Sequence, residues 1–240
     1  MLKEVSKRYD KIAKRYSEKI YSHFWNRILE YPPTVAEIKK LNLKGKKVLD
    51  VGCGSGRYSK IIFSRGAKVW GLDLSRNMVE IAKNYVKNVK FSVGNIEKTK
   101  FKDRFFDVVF SGLVLEYLDR NNFFKEMSRI LRKNGILLFS AHVPYNELGY
   151  RIIKGKQIFK FHNYFNEGKF YQHWPNFKTR MCFKHATMET TIHSILKNGF
   201  IIEDYIDIKP PSWSRKKFTK DYERVIRLPP FFIMKLRKVK

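Results

Sequence analysis

Two hydrophobic periodicities alternate along this chain. Val48, Leu49 and Val51 form a short apolar run typical of a strand buried on both faces, and Asp50 is its one acid. The next apolar residues, within 57–63, have helical spacing. Buried strands that alternate with amphipathic helices indicate an α/β fold.

The alternation continues towards the C-terminus and predicts seven strands. The last of them, before a cationic tail, fits an antiparallel strand. The predicted strands are 48–51, 67–75, 89–98, 105–112, 135–144, 200–208 and 229–234, and the predicted helices are 57–63, 76–86, 121–131 and 185–197. Ser75 is expected to cap the second of these helices, and Lys133-Asn134-Gly135 to end the third.

The first 45 residues are predicted to be helical, because their apolar positions share one helical face. Pro32-Pro33 marks a break, and Thr34 is expected to cap a second helix that runs to a turn at Lys44-Gly45.

Residues 144–184 depart from this pattern because they are dense in aromatic residues and histidine. We expect 158–165 and 169–174 to pair as a β-hairpin around the turn Asn166-Glu167-Gly168. The aromatic residues and histidines in question are Tyr150, Phe159, Phe161, His162, Tyr164, Phe165, Phe170, Tyr171, His173, Trp174 and Phe177. The hairpin could form a lid over a pocket for a flat or apolar molecule, or it could seal the domain or a dimer interface.

A glycine-rich stretch directly follows the first strand. Gly52, Gly54 and Gly56 occupy alternate positions, and such a turn lets a ligand approach the backbone closely. A dinucleotide site favours the spacing G-x-G-x-x-G and a phosphate, which the carboxylate of Asp50 would repel. An acid placed there suits an ammonium group instead. A second acid, Asp73, ends the next strand, where a β-α-β unit accepts hydrogen bonds from ribose hydroxyls.

These residues resemble motif I and the following strand ends of the class I S-adenosylmethionine-dependent methyltransferases, of the methyltransferase type 11 kind. The resemblance is close over 46–143. It implies a Rossmann-like, seven-stranded, mostly parallel sheet with the last strand antiparallel, plus the aromatic hairpin as an inserted lid. It also implies S-adenosylmethionine as cofactor and S-adenosylhomocysteine as product. The cofactor contacts expected on these grounds are Tyr16, Asp50, Gly52, Cys53, Gly54, Gly56, Asp73, Leu74, Met78, Asn95, Ile96, Ser111, Gly112 and Leu113.

Within this set, each part of the cofactor has its expected contacts. Asp50 and the glycine loop would hold the methionine end, and Asp73 would hold the ribose. Asn95 and Ile96 would bind the adenine, although relatives often have Asp at the position of Asn95. Ser111, Gly112 and Leu113 would face the methionine moiety and the acceptor, because ligands lie beyond the carboxyl ends of parallel strands.

Two residues are candidates for proton removal from the acceptor. His142 follows the fifth strand, and an imidazole suits this task near neutral pH, although a structural or substrate-contacting role is open. Glu116 stands where relatives often have His. It could act as a base, or it could be salt-bridged or solvated.

The charge is strongly positive, with 50 Lys and Arg against 22 Asp and Glu and a net charge of +28. A/T-rich coding explains the lysines but not the shortage of acids. Such a surface attracts nucleic acid, an anionic membrane surface or an acidic metabolite.

No arrangement of His and Cys predicts a metal site. Cys53 and Cys182 are expected to be reduced thiols, and without a signal peptide or an apolar span we expect a cytoplasmic protein.

We therefore expect a single methyltransferase domain that methylates a small molecule. RNA is the alternative acceptor because of the charge, and a cofactor-binding protein without catalysis is a third possibility. The domain would comprise a helical cap at 1–45, a cofactor-binding core at 46–143, a lid at 144–184, and a C-terminal helix and strands at 185–240.

Overall fold

The computed structural model describes residues 1–20, 24–147, 150–153, 156–159 and 163–239. A seven-stranded sheet forms its centre. Its strands are β1 Lys47–Val51, β2 Lys68–Asp73, β3 Lys90–Val93, β4 Phe106–Gly112, β5 Leu131–His142, β10 Phe200–Asp207 and β11 Phe231–Lys238. They lie in the order β3-β2-β1-β4-β5-β11-β10. The neighbouring strands β3, β2, β1, β4 and β5 are parallel to one another, and β11 runs antiparallel to both β5 and β10. The predicted mostly parallel sheet with a reversed last strand is confirmed.

Helices cover both faces of this sheet. They are α1 Leu2–Lys19, a π-helix Phe24–Glu30, α2 Tyr31–Lys40, α3 Arg57–Ser64, α4 Arg76–Tyr85, α5 Arg120–Ile130, α6 Pro144–Glu147, α7 Met188–Lys197, α8 Ser214–Lys217 and α9 Thr219–Val225. The π-helix and α2, α3, α4 and α9 pack on one face. Helices α5 and α7 pack on the other. The loops at the carboxyl ends of β1, β2 and β4 are therefore left free to form a site at one edge of the sheet.

The N-terminal helices begin and end at different residues from those predicted. Pro32 and Pro33 lie in the first turn of α2, where a missing N–H costs nothing, so they start a helix without interrupting one. Thr34 is not the cap of this helix. Its hydroxyl is buried and donates to Glu30 Oε1 at 3.0 Å.

The predicted hairpin is wrong in its pairing. Strand β7 (Lys156–Phe159) pairs with β6 (Tyr150–Ile153), and β8 (Gly168–Trp174) pairs with β9 (Thr179–His185). The turn at 166–168 therefore connects two hairpins and does not form the tip of one. Strand β9 was missed because its buried core, Met181 to Phe183, is short and flanked by basic residues. Phe161 and His162, which the prediction included, lie outside the described residues.

Two further boundaries differ from the prediction. The fifth strand begins at Leu131, and Lys133-Asn134-Gly135 forms an irregularity in its pairing with β4, where Asn134 has φ +62°. Helix α7 begins at Met188, after its cap Thr187, because His185 still belongs to β9. Ser75 caps α4 as predicted, accepting a hydrogen bond from the backbone N–H of Met78.

A segment of 22 residues, 209–230, connects β10 to β11 and contains α8 and α9, which the sequence did not predict. Backbone hydrogen bonds attach both ends of this segment to neighbouring strands. The N–H of Ile208 donates to Phe231 O at 3.0 Å, and the N–H of Val143 donates to Pro230 O at 2.9 Å. The segment thus returns to the end of β5. Within the described part of the chain, no helix is both long and apolar enough to cross a membrane.

Candidate active site

The glycine loop between β1 and α3 is open towards one side. Gly52, Gly54 and Gly56 have φ values of +69°, +50° and +85°, which side-chain-bearing residues rarely adopt. A Cβ at Gly52 would lie 2.2 Å from the side chain of Val114, whereas a Cβ at Gly54 would have no atom within 4 Å. The backbone of Gly54 therefore borders free space in which a ligand can approach it.

Asp73 joins this loop to the end of β2. Its Oδ2 accepts a hydrogen bond from Gly54 N at 2.9 Å, and its Oδ1 accepts one from Ser75 N at 2.8 Å. Burial raises the pKa of this carboxyl, and the two backbone donors oppose that increase. Each carboxylate oxygen has a further lone pair, so the group can accept additional hydrogen bonds from a ligand.

A cleft lies against Gly54 and Asp73. It is lined by Val5, Tyr9, Tyr16, Gly52, Gly54, Asp73, Leu74, Met78, Ile96, Gly112, Leu113, Val114, Tyr117 and Leu118. Nine of the predicted contact residues are among them, so residues from the N-terminal helix to the end of β4 come together here. Leu113 has φ +53°, an uncommon value for a residue with a side chain, at the place where its N–H donates to Ser140 O.

The other five predicted contact residues do not line the cleft. Gly56 packs against Ala82 and Phe91, and Cys53 is buried beside Gly71. Asn95 is exposed, and its side chain accepts a hydrogen bond from Glu97 N at 2.9 Å. Ser111 is buried within the sheet, paired in register with Val51 and Phe139. Burial raises the pKa of the Cys53 thiol, which makes this residue a poor nucleophile.

Asp50 is the fifth predicted contact residue that does not line the cleft, and it lies behind the glycine loop. Its carboxyl is 1% exposed and accepts a hydrogen bond from Ser59 Oγ, on α3, at 2.5 Å. Burial raises its pKa from 3.8 to about 7, and the hydrogen bond from Ser59 opposes this increase in part.

The raised pKa of Asp50 predicts a pH dependence of stability. Between 3.8 and about 7 the folded protein keeps a proton that the unfolded chain has lost, so the free energy of unfolding should fall as pH rises. The slope from one such group is at most about 1.4 kcal/mol per pH unit. Asp50→Asn should remove this slope and make the protein more stable than the wild type at alkaline pH. Urea denaturation across the pH range tests this, and parallel profiles of the two proteins would refute it.

Helix α1 forms a roof over the cleft. Ser6 Oγ donates to Leu74 O at 2.9 Å, and Asp10 Oδ1 accepts from Ser75 Oγ at 2.6 Å and from Asn77 N at 3.1 Å. These bonds attach α1 to the connection between β2 and α4. Val5 and Tyr9 line the cleft but were not predicted to do so, although both belong to the apolar face that the sequence assigned to this helix.

Aromatic side chains form one wall of the cleft. The hydroxyls of Tyr9 and Tyr117 are 2.9 Å apart, and the ring of Tyr16 stacks on Trp174 with an interplanar angle of 11°. Trp174 comes from β8, so the hairpin β8–β9 contacts the roof. Burial raises the pKa of Tyr16 to about 12, so its hydroxyl stays protonated near neutral pH. The wall is therefore aromatic and uncharged, and the hydroxyls of Tyr9 and Tyr117 bond to each other within it.

The two candidate bases lie next to each other. His142 Nε2 is 3.5 Å from Glu116 Oε1, and the carboxyl of Glu116 is buried. Neither residue lines the cleft, but the ring of Phe183 is near both His142, at 6.1 Å, and the cleft residue Tyr117, at 5.2 Å. The sequence predicted each residue separately and gave no indication that they form a pair.

Glu30, at the end of the π-helix, was missed entirely. Its carboxylate is fully buried, with Arg57 at 3.0 Å, and it accepts hydrogen bonds from Tyr58, Thr34 and Ser140. Arg57 directly follows the glycine loop. Ser140 pairs in register with Gly112 at the end of β4. The only signal in the sequence was one acid directly after the apolar residues Ile28 and Leu29.

Comparisons with known proteins agree with this geometry. Residues 49–139 match a family model described as a methyltransferase domain. A protein of uncharacterised function from Haemophilus influenzae is 31% identical over 233 residues, which cover 89% of each chain. The crystal structure of an S-adenosylmethionine-dependent methyltransferase from Mesorhizobium loti has the same fold, with a TM-score of 0.74 and 24% identity over 86% of this chain and 96% of that one.

A ubiquinone biosynthesis O-methyltransferase of Pelagibacter ubique is 38% identical over 104 residues. This match covers 41% of the present chain and 43% of the relative, so the chain spans less than half the length of that enzyme. The matched family model begins within β1 and ends within β5, and it therefore includes the glycine loop and Asp73. The chain belongs to the class I methyltransferase family, whose members use S-adenosylmethionine.

Proposed function

We propose that this protein transfers a methyl group from S-adenosylmethionine to a small-molecule acceptor. The observation that carries the proposal is the aromatic wall of the cleft, formed by Tyr9, Tyr16 and Tyr117, with Trp174 packed against Tyr16. Such a surface suits a flat or apolar molecule that is held close to the cofactor and away from water. The name of the Pelagibacter relative, an O-methyltransferase of ubiquinone biosynthesis, supports the same class of acceptor.

The residues of the cleft fit the cofactor. The open space beside Gly54 allows the backbone to be approached closely. We assign the carboxylate of Asp73, which keeps free lone pairs beside the bond from Gly54 N, to the two ribose hydroxyls. Leu74, Met78 and Ile96 offer an apolar surface for the adenine ring. We propose that Asp50 does not contact the cofactor directly. From beneath the glycine loop, its carboxylate would balance the positive charge of the ammonium group at the methionine end.

Replacing Asp73 tests the ribose assignment. Asp73→Ala should weaken binding of S-adenosylmethionine by about 1.5–3 kcal/mol through the loss of charge-assisted hydrogen bonds. Isothermal titration calorimetry measures this change. Asp107→Asn is a suitable control, because Asp107 lies at the opposite edge of the sheet, where it accepts from Lys47 N and pairs with Arg132. Equal affinities of wild type and Asp73→Ala would refute the assignment.

Replacing Gly54 tests whether the ligand occupies the open space. Gly54 and Gly45 both have positive φ, and neither would bring a new Cβ within 4 Å of another atom. Both alanine variants should therefore lose a similar free energy of unfolding, about 1–2 kcal/mol. Only Gly54→Ala should also lose cofactor affinity, by about tenfold or more, because its methyl group would overlap the ligand. Comparable affinities of the two variants would show that the cofactor lies elsewhere.

The chemistry divides between cofactor and protein. Bound S-adenosylmethionine supplies a methyl group made electrophilic by the adjacent sulfonium. The protein has to orient the acceptor in line with that methyl group and exclude water. The roof formed by α1 and the aromatic wall serve both purposes. We assign His142, oriented by Glu116, to removing a proton from the acceptor.

RNA is the second candidate acceptor because of the net charge of +28. Turnover assays with radiolabelled cofactor, against a metabolite extract and against an RNA pool, separate the two. Methylation confined to the metabolite extract and insensitive to salt supports the proposal. Methylation of RNA that falls steeply with added salt would overturn it in favour of the alternative. Binding of the cofactor without turnover on either pool would favour a non-catalytic protein.

We place the protein in the cytoplasm, in keeping with the free, buried thiols of Cys53 and Cys182.

A further inference from the structure

The segment 209–230 is packed against the domain on its inner side and carries exposed basic and apolar residues on its outer side. Its inner side is packed into the domain: Val225 is buried, the ring of Phe218 lies 5.2 Å from that of Phe24, and the guanidinium of Arg224 lies 4.1 Å above the ring of Trp25. Its ends meet the carboxyl end of β5, beside His142. The segment is therefore a fixed part of the edge that holds the cleft.

The outer side of this segment is cationic. Seven of its residues are Lys or Arg and two are acidic. Both acids are paired within the segment, Glu223 with Arg215 at 2.9 Å and Asp221 with Arg224 at 3.5 Å. Five exposed basic residues have no carboxylate within ion-pair distance in the described part of the chain: Lys209, Lys216, Lys217, Lys220 and Arg227. Because no acid on this surface is free to neutralise them, the surface attracts anions.

Two large apolar side chains are exposed on the same segment. Trp213 is 59% exposed and Ile226 is 42% exposed. Tryptophan beside basic residues is typical of a protein surface at the boundary between headgroups and acyl chains. An exposed isoleucine distinguishes lipid from nucleic acid, because an aliphatic side chain gains free energy from acyl chains but cannot stack on a base.

We propose that segment 209–230 docks this protein on membranes that contain anionic phospholipids. The cations contact the headgroups, and Trp213 and Ile226 enter the outer part of the bilayer. This docking does not depend on the proposed methyl transfer. Because the segment begins and ends beside the carboxyl end of β5, docking also brings the cleft near the bilayer, where an apolar acceptor would dissolve.

Co-sedimentation of the full-length protein with vesicles tests the proposal. We expect binding to vesicles of phosphatidylcholine with added phosphatidylglycerol, little binding to phosphatidylcholine alone, and weakening with salt. Lys216→Gln/Lys217→Gln should reduce the partition coefficient about tenfold or more. Trp213→Ser should also reduce it about tenfold. The matched control is Lys100→Gln/Lys102→Gln, which removes the same charge from exposed residues before β4, at the other edge of the sheet.

Several results would overturn the proposal. They are equal binding to neutral and anionic vesicles, no binding to either, or an equal loss of binding in the control variant. Binding of a transfer RNA pool that the Lys216/Lys217 variant loses, together with no vesicle binding, would assign the surface to nucleic acid. Since none of these measurements uses turnover, they are independent of whether the methyl-transfer assays succeed.

Discussion

Glu30→Gln is expected to lower the free energy of unfolding by about 3–5 kcal/mol. The side chains of Glu30 and Arg57 are 0% and 8% exposed, so the substitution leaves a buried guanidinium without its carboxylate. The amide also presents donor hydrogens to the hydroxyls of Tyr58, Thr34 and Ser140, which donate to the carboxylate in the native protein. Chemical denaturation followed by circular dichroism measures the change.

The same variant should also bind the cofactor more weakly, because Glu30 links the helix after the glycine loop to Ser140 beneath the end of β4. Glu80→Gln is the matched control, since Glu80 and Lys83 form an exposed pair on α4. It should change the free energy of unfolding by less than about 0.5 kcal/mol. A Glu30→Gln protein as stable as this control would show that the buried pair does not stabilise the fold.

The second large effect is expected at His142. His142→Gln should lower kcat by about 10²- to 10⁴-fold, the usual contribution of general base catalysis. Cofactor affinity should stay unchanged, because His142 does not line the described cleft. Glu116→Gln should lower kcat less and change its pH profile, because the carboxylate that orients the imidazole is lost. Steady-state kinetics with the identified acceptor measure kcat and KM separately.

His173→Gln provides the control, because His173 is exposed on β8 and belongs to the same aromatic part of the sequence. It should leave kcat unaltered. If His142→Gln has a kcat equal to that of this control, the acceptor loses its proton without help from His142, and His142 has only a structural role.

The sequence was sufficient for the parts of the molecule that depend on local pattern. Buried strands show as continuous apolar runs, so the seven strands of the main sheet could be found from them. Their mostly parallel arrangement with a reversed last strand was implied by the family resemblance. The loop glycines and Asp73 are separated along the chain by one β-α-β unit, and the geometry of that unit placed them together.

Features that depend on distant pairings were not predictable in this way. The bond between Glu30 and Ser140 joins residues 110 positions apart, and the contact between His142 and Glu116 depends on how β5 lies beside the turn after β4. The hairpin pairing was wrong for a related reason. Two neighbouring aromatic stretches looked like partners, whereas β8 pairs with the strand that follows it, whose buried residues are few.

The attachment of α1 has a kinetic consequence. Val5, Tyr9 and Tyr16 line the cleft, while Ser6 and Asp10 attach the same helix to the connection between β2 and α4. Undocking of this helix would therefore widen the path by which a nucleoside enters and leaves. We expect the rate of ligand exchange to depend on how often the N-terminal helix undocks.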